Sequence, residues 1–265
     1  MKIPFQKIHG AGNDFIVVNT TKSFQTSKYL IAKICSRKKG IGADGLIVLR
    51  RTKGKEISFK YYNSDGSEAD FCGNGLRCAA LSSYLISGEK KIIFKTDAGI
   101  CSAFVISKEL VRIEVPIVSP PRKIRLEAFK NAFFCKTGVP HCVIVVKNLE
   151  DLDVFGQGRR IRNDKLFAPE GTNVNFAKIL SSKEIALRTY ERGVEDETEA
   201  CGSGACATAL SLAIFANIKL PVKIKTKSQD VLEIDIPEKT TDLSSLKKMH
   251  LTGPVEIAFT GEIEV

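Results

Sequence analysis

Along most of the chain, apolar and polar residues alternate at the two-residue period of a half-buried strand. Val111-Arg112-Ile113-Glu114-Val115 and Val222-Lys223-Ile224-Lys225 are clear cases. Strands bounded by turn residues are predicted in the first half over Asp14–Asn19, Leu46–Arg50, Ile57–Tyr62, Ile92–Lys95, Ala103–Ser107 and Val111–Val115. In the second half they are predicted over Ala132–Lys136, Cys142–Val146, Val174–Ile179, Ile185–Tyr190, Val222–Thr226 and Val231–Ile236. Lys28–Ser36 reads as a surface helix with one apolar face. Leu76–Ile86 and Ala205–Ile218 have helical length and are apolar almost all round. A helix of that kind must be buried on every side. A sheet curled around each would bury it, which gives two α+β halves, each a strongly bent sheet around a central helix.

The chain has 265 residues, 43% of them hydrophobic, an ordinary composition for one large or two medium globular domains. Ser119-Pro120-Pro121 is the expected linker, dividing the chain into halves of residues 1–118 and 119–265. A strand near 254–265 is expected to return to the first half. The two Cys-Gly-x-Gly runs described below lie about half the chain apart, so an internal duplication is expected. The net charge is +10. Its lysines are dispersed, with no basic helix or aromatic-interleaved motif, so no nucleic-acid partner is expected. The start of the chain lacks the apolar core of a signal peptide, and no apolar run reaches the ~20 residues that span a bilayer. A cytoplasmic protein without a membrane partner is expected.

Eight cysteines in such a chain do not form a secreted disulfide scaffold, and the absence of Cys-x-x-Cys spacing argues against a zinc ribbon. Cys35, Cys101, Cys135 and Cys142 lie in apolar periodic segments and read as inert core thiols. The others form a pattern: residues 72–78 read Cys-Gly-Asn-Gly-Leu-Arg-Cys and residues 201–206 read Cys-Gly-Ser-Gly-Ala-Cys. Each run follows an acidic loop that starts at a tyrosine, Tyr62 or Tyr190, and each opens an apolar stretch of helical length.

At a helix start the backbone N–H groups lack intrahelical partners and the dipole is positive. The glycines let an anion approach those donors. The same field is expected to lower a thiol from its ordinary pKa of ~8.5 and favour some thiolate at neutral pH. Two thiols facing one carbon, one ionised and one protonated, provide a base on one side and an acid on the other. After turnover their states are exchanged, so the reverse reaction uses the same groups. The pattern therefore points to a racemase or epimerase that needs no pyridoxal phosphate. Paired spacings of six and five residues put neither cysteine pair well on one helical face for a metal. Other polar clusters, at 10–15, 63–68 and 191–193 and at His141, read singly as turns or surface pairs.

Taken together these segments resemble diaminopimelate epimerases. The matching pieces are G-N-D-F at 12–15, G-A-D-G at 42–45, N-S-D-G-S-E at 63–68 and C-G-N-G-L-R-C at 72–78. P-H-C-V at 140–143, E-R-G at 191–193, A-C-G-S-G-A-C at 200–206 and L-T-G-P at 251–254 complete the series in family order. The resemblance implies two pseudo-symmetric domains, each a barrel-like, mostly antiparallel sheet around a helix. It implies interconversion of L,L- and meso-diaminopimelate, for lysine and peptidoglycan precursors, with no cofactor and no metal. It assigns the acid–base pair to Cys72 and Cys201, assisted by His141 and Glu191. Gly73, Asn74, Gly202 and Ser203 would hold the reacting carboxylate. Asn13, Asn63, Asn173, Glu191 and Arg192 would hold the rest of the diamino-dicarboxylic acid, an Arg fork suiting its distant carboxylate. The oligomeric state is left open between monomer and homodimer. The runner-up reading is a related cysteine-pair amino-acid racemase resembling proline racemase, whose first cysteine is usually followed by Gly-His rather than Gly73-Asn74.

Three positions depart from the family pattern. Val139 stands where Gly-Asn-Pro-His is common, Glu195-Asp196 lengthens the segment before Cys201, and Gly45 stands where some members carry Gln. A bulge at 195–196 is expected to displace Glu191 and Arg192. Because these positions belong to substrate recognition, slow turnover of other acidic amino acids such as glutamate is expected.

Overall fold

The computed structural model describes residues 2–21, 27–51, 54–69, 72–97, 99–237, 240 and 242–264. The chain divides into two compact units, Met1–Ile113 with Gly253–Val265, and Glu114–Thr252. Met1 and Val265, the ends of the two expected halves, lie outside the described residues.

In the first unit the strands are β1 (Lys2–Gly10), β2 (Asn13–Thr20), β3 (Gly45–Arg51), β4 (Glu56–Asn63), β5 (Glu68–Ala69), β6 (Lys91–Thr96), β7 (Gly99–Val105) and β8 (Leu110–Pro116). Pairing follows β1-β2-β3-β4-β6-β7-β8, with β5 added to β4. The β2–β3 and β4–β6 pairs are parallel and the others antiparallel. Helix α1 (Lys28–Cys35) forms the β2–β3 crossover, and α2 (Gly73–Ser87) the β4–β6 crossover. Parallel neighbours require such crossovers.

The second unit repeats this scheme. Its strands are β9 (Ser119–Leu126), β10 (Phe129–Thr137), β11 (Val139–Val145), β12 (Asn173–Ser181), β13 (Glu184–Glu191), β14 (Asp196–Thr198), β15 (Val222–Lys225), β16 (Val231–Asp235) and β17 (Lys248–Pro254). Pairing follows β10-β11-β12-β13-β15-β16-β17, with β14 added to β13 and the parallel pairs again second and fourth. Helix α3 (Val154–Arg162) makes the first crossover and α4 (Gly202–Phe215) the second. β9 flanks β10, as the final strand β18 (Glu256–Glu264) flanks β1. The expected α+β class with two related, curved, mostly antiparallel sheets is what the chain forms.

Helix α2 is buried from Gly73 to Ser83, and α4 from Gly202 to Leu212. Each fully buried Leu, Ile or Phe contributes roughly 1.5–3 kcal/mol. Both helices start three residues earlier than their apolar runs, because a cysteine caps each one. Gly88 ends α2 in the left-handed conformation (φ 73°).

Three parts of the sequence reading need correction. Ser119-Pro120-Pro121 is not a linker but the start of β9. The register against β10 slips between Phe134 and Lys136, where Lys136 pairs with Ser119. That irregularity accommodates two residues that cannot donate to a ladder. The predicted strand 103–107 lies at Gly99–Val105, with Ile106 and Ser107 in the turn that bonds to Leu110. Helix α3 was missed because VFGQGRRIR carries two glycines. It is capped by Asp153, buries Val154, Gly158 and Ile161, and ends in arginines that suit its dipole. Gly158 lies so close to Tyr190 that a Cβ would collide with that ring.

Candidate active site

The two cysteines occupy equivalent places. Each has extended backbone (Cys72 φ −142°, ψ 107°; Cys201 φ −115°, ψ 107°) and caps its helix through sulfur. Gly75 N donates to Cys72 Sγ at 3.3 Å, and Gly204 N to Cys201 Sγ at 3.4 Å. The N–H groups of Gly73, Asn74, Gly202 and Ser203 lie in first helical turns, where no carbonyl of the helix can reach them.

In the second unit, Cys201 is buried with Ser203 Oγ 3.6 Å from its sulfur. The Glu191 carboxylate hydrogen-bonds this thiol and also accepts from Thr198 Oγ1. Burial first, and the Glu191 charge second, push the Cys201 thiol well above its ordinary pKa. The expectation of thiolate character from the helix field is therefore wrong at Cys201: desolvation disfavours the anion, and the nearest charge is negative. Cys201 carries its proton at neutral pH. The structural thiols behave as expected, burial pushing Cys35 up to about 11 and Cys135 to about 12.

His141 is fully buried on β11, opposite Asn173 on β12. Burial, helped by the Arg192 charge, lowers its pKa to about 3, so the ring is neutral. Asn173 Nδ2 donates to the Pro140 carbonyl at 2.9 Å, and Arg192 N donates to Asn173 Oδ1 at 2.9 Å. Arg192 Nη1 reaches the Glu170 carbonyl at 3.1 Å. The strand pair thus fixes Asn173, which fixes the backbone of Arg192.

The expected bulge is absent. β13 and β14 keep a regular register, Thr189 with Thr198, Tyr190 with Glu197 and Glu191 with Asp196. The extra length sits in the turn, where Glu195 adopts φ 59° and its N–H bonds to the Glu191 carbonyl at 2.8 Å. Arg162 Nε, Tyr190 Oη and Gly193 N all donate to the Glu195 carboxylate, which anchors the turn.

In the first unit, Asn74 Nδ2 donates to Asn13 Oδ1 at 3.2 Å, and Asn13 Nδ2 donates to Asp44 Oδ2 at 2.7 Å. Asp44 and Asp14 share the Arg37 guanidinium, and Lys7 pairs with Asp14 at 2.8 Å. Burial pushes Asp14 up, but hydrogen bonds from Arg37 and Lys7 outweigh it and hold the carboxyl well below the usual range. Asn13, Asn74 and the Cys72 cap are therefore one cluster. Asn63 Oδ1 accepts from Tyr61 Oη at 2.9 Å, and its Nδ2 donates to Ser67 Oγ at 3.0 Å. Gly45 is accounted for locally: a Cβ there would come within 2.5 Å of Tyr61 and of the Tyr62 carbonyl. Val139 opens β11 and pairs with Thr137.

The sequence reading missed Asn175, Thr189 and Thr198. The first lies two residues beyond Asn173, on the same face of one strand, a period-two signal that was available. No described helix is long and apolar enough to cross a membrane, and no group of three or more His, Cys, Asp or Glu among the described residues could hold a metal ion.

Residues 5–114 and 133–255 match the diaminopimelate epimerase family. The diaminopimelate epimerase of Aquifex aeolicus is 39% identical, with 98% of this chain and 97% of that protein aligned. That of Chlorobaculum tepidum is 37% identical over 96% and 98%. Among solved structures, a phenazine biosynthesis PhzF-family protein from Enterococcus faecalis superposes with TM-score 0.75 at 15% identity, covering all of both chains. A hydroxyproline epimerase from Agrobacterium vitis gives TM-score 0.69 at 14% identity, covering 99% of this chain and 91% of that one. At such identities these two report the fold alone.

Proposed function

The chain belongs to the diaminopimelate epimerase family, and we propose that it interconverts L,L- and meso-diaminopimelate by two-thiol proton transfer without a cofactor. It is an isomerase acting on a small amino-acid substrate, an activity that belongs to lysine biosynthesis. Its proposed setting is the cytoplasm, where the meso product would also feed peptidoglycan precursors.

The observation that carries the reading is the matched pair of sulfur caps, Cys72 on α2 and Cys201 on α4. In the proposed reaction one sulfur removes the α-proton as thiolate while the other delivers a proton to the opposite face as thiol. The first-turn N–H groups of Gly73, Asn74, Gly202 and Ser203 hold the carboxylate on that carbon. There they stabilise the charge that develops as the C–H bond breaks. Cys201, raised by burial and Glu191, starts as the acid in this scheme. Glu191, bonded to the thiol, helps return a proton to it. Asn13, Asn63, Asn173 and Arg192 orient the remainder of the substrate, the guanidinium pairing with the distant carboxylate.

The assay is chiral chromatography of L,L-diaminopimelate incubated with reduced protein and no added cofactor. Accumulation of the meso isomer to a plateau of both isomers supports the reading; unchanged substrate sinks it. We also propose slow turnover of glutamate, because Val139 presents no polar group at the start of β11. Val139→Asn should suppress α-proton exchange on glutamate while keeping that on diaminopimelate. Absence of exchange on glutamate in the unaltered protein would refute this.

A further inference from the structure

We infer that Asn175 is a positioning residue that holds His141 in the tautomer with its proton on Nε2, making the neutral ring a hydrogen-bond donor to the substrate. The inference rests on the proposed epimerase reading for its functional consequence, but its structural half stands independently.

Asn175 is fully buried on β12 and makes three contacts. Its Nδ2 lies 3.1 Å from the Cys142 carbonyl and 3.1 Å from His141 Nδ1, and its Oδ1 accepts from Thr189 Oγ1 at 3.1 Å. The orientation of the amide is decided chemically. A carbonyl oxygen only accepts, so the amide atom facing Cys142 is the nitrogen. Both amide hydrogens are then committed, one to Cys142 O and one to His141 Nδ1. Nδ1 must therefore be the unprotonated, accepting nitrogen, and the ring proton sits on Nε2. His141 Nε2 is buried and has no partner among the described residues. Cys135 and Asn173 stand across from His141 on the flanking strands, and Arg192 is the charge that bears on it. A cation beside the ring discourages a second proton, which keeps the ring a neutral donor.

The fold does not demand this polar layer. Strand register makes Phe15, Ile47 and Tyr61 of the first unit the counterparts of His141, Asn175 and Thr189. There Phe15 and Tyr61 pack edge to face at 5.8 Å, and Ile47 lies against Gly75 as Asn175 lies against Gly204, each the second glycine of its helix's Cys-Gly-x-Gly run. The same architecture is thus filled apolar in one half and with a polar, hydrogen-bonded set in the other. Buried polar groups are costly unless satisfied, and this set is satisfied everywhere except at His141 Nε2.

The chain has three histidines, so ¹⁵N-histidine labelling gives three rings to observe, His141 being assigned with a His141→Gln variant. The expected spectrum has a pyrrole-type Nε2 and a pyridine-type Nδ1 for His141, unchanged between about pH 5 and 8. A protonated Nδ1, or titration of the ring in that window, overturns the inference. Asn175→Leu, which copies the apolar filling of the other half, should stay folded and shift His141 to a mixture of tautomers. It should lower kcat roughly tenfold, the loss of about one buried hydrogen bond, and leave KM within about twofold. An unchanged tautomer in folded Asn175→Leu also overturns it. Should that variant fail to fold, Thr189→Val, which frees Asn175 Oδ1, should give the same tautomer shift in weaker form, and no shift there counts against it. A protein with the expected spectrum but no epimerisation would refute the epimerase reading and leave the tautomer assignment intact.

Discussion

Gly75→Ala and Gly204→Ala make the same chemical change at matching places in α2 and α4, yet their costs should differ sharply. Inside a helix, alanine is favoured over glycine by up to about 1 kcal/mol. At Gly75 the new methyl would meet Ile47 Cδ1 at 3.1 Å, the movable end of an aliphatic side chain, and Cys72 at 3.4 Å. A small rotation of Ile47 relieves it, so this variant should stay within about 1 kcal/mol of the parent. At Gly204 the methyl would overlap Asn175 Oδ1 outright and approach Asn175 Cγ and Cys201 Sγ at 3.2 Å each. Asn175 cannot yield cheaply, because His141, Cys142 and Thr189 all hold it. Displacing it forfeits three buried hydrogen bonds at roughly 1 kcal/mol each, so the net loss after the helix gain is about 2 kcal/mol. Urea unfolding at neutral pH, with a common slope for both variants, measures the difference as a shift in midpoint. Equal midpoints, or a Gly204→Ala protein more stable than the parent, would refute the argument that Gly204 exists to admit Asn175.

Two further outcomes follow from the charges. Asp14→Asn should destabilise the fold by about 3 kcal/mol at neutral pH, because buried Lys7 loses its carboxylate partner and keeps only the neutral Gly42 carbonyl. Asp14 has a depressed native pKa, so its contribution is full above the unfolded carboxyl value of about 3.9 and fades as the pH falls further. The parent–variant difference in a pH series of unfolding curves should therefore shrink only in acid; a difference growing towards low pH would reverse the assignment. Glu191→Gln should move the thiolate absorbance titration of Cys201 to lower pH, since it removes a negative charge while the burial remains. A move to higher pH, or none, would mean that Glu191 does not bear on the thiol.

How much of this was legible beforehand differs by feature. The buried helices announced themselves because α4 has no polar face at all, and the period-two runs located most strands. The linker was misread because prolines usually interrupt structure, whereas an irregular strand pair absorbs Pro120 and Pro121 here. Helix α3 was invisible because Gly158 is selected by its closeness to Tyr190, a tertiary contact that outweighs helix propensity. The cysteines were readable from a repeated local motif. Their ionisation was not: the helix field acts locally and can be inferred from sequence, but desolvation and the approach of Glu191 arise only on folding. Asn175 was signalled only by its period-two spacing from Asn173, and the three partners that give it a role come together only on folding.

In the proposed reaction Cys72 and Cys201 each move a proton at the same substrate carbon. The most direct test incubates L,L-diaminopimelate in D₂O with the parent protein, Cys72→Ala and Cys201→Ala. NMR follows loss of the α-proton signal, and chiral chromatography follows meso product. Exchange together with epimerisation is expected in the parent, and loss of epimerisation in both variants. Epimerisation that survives removal of either sulfur would contradict that reaction.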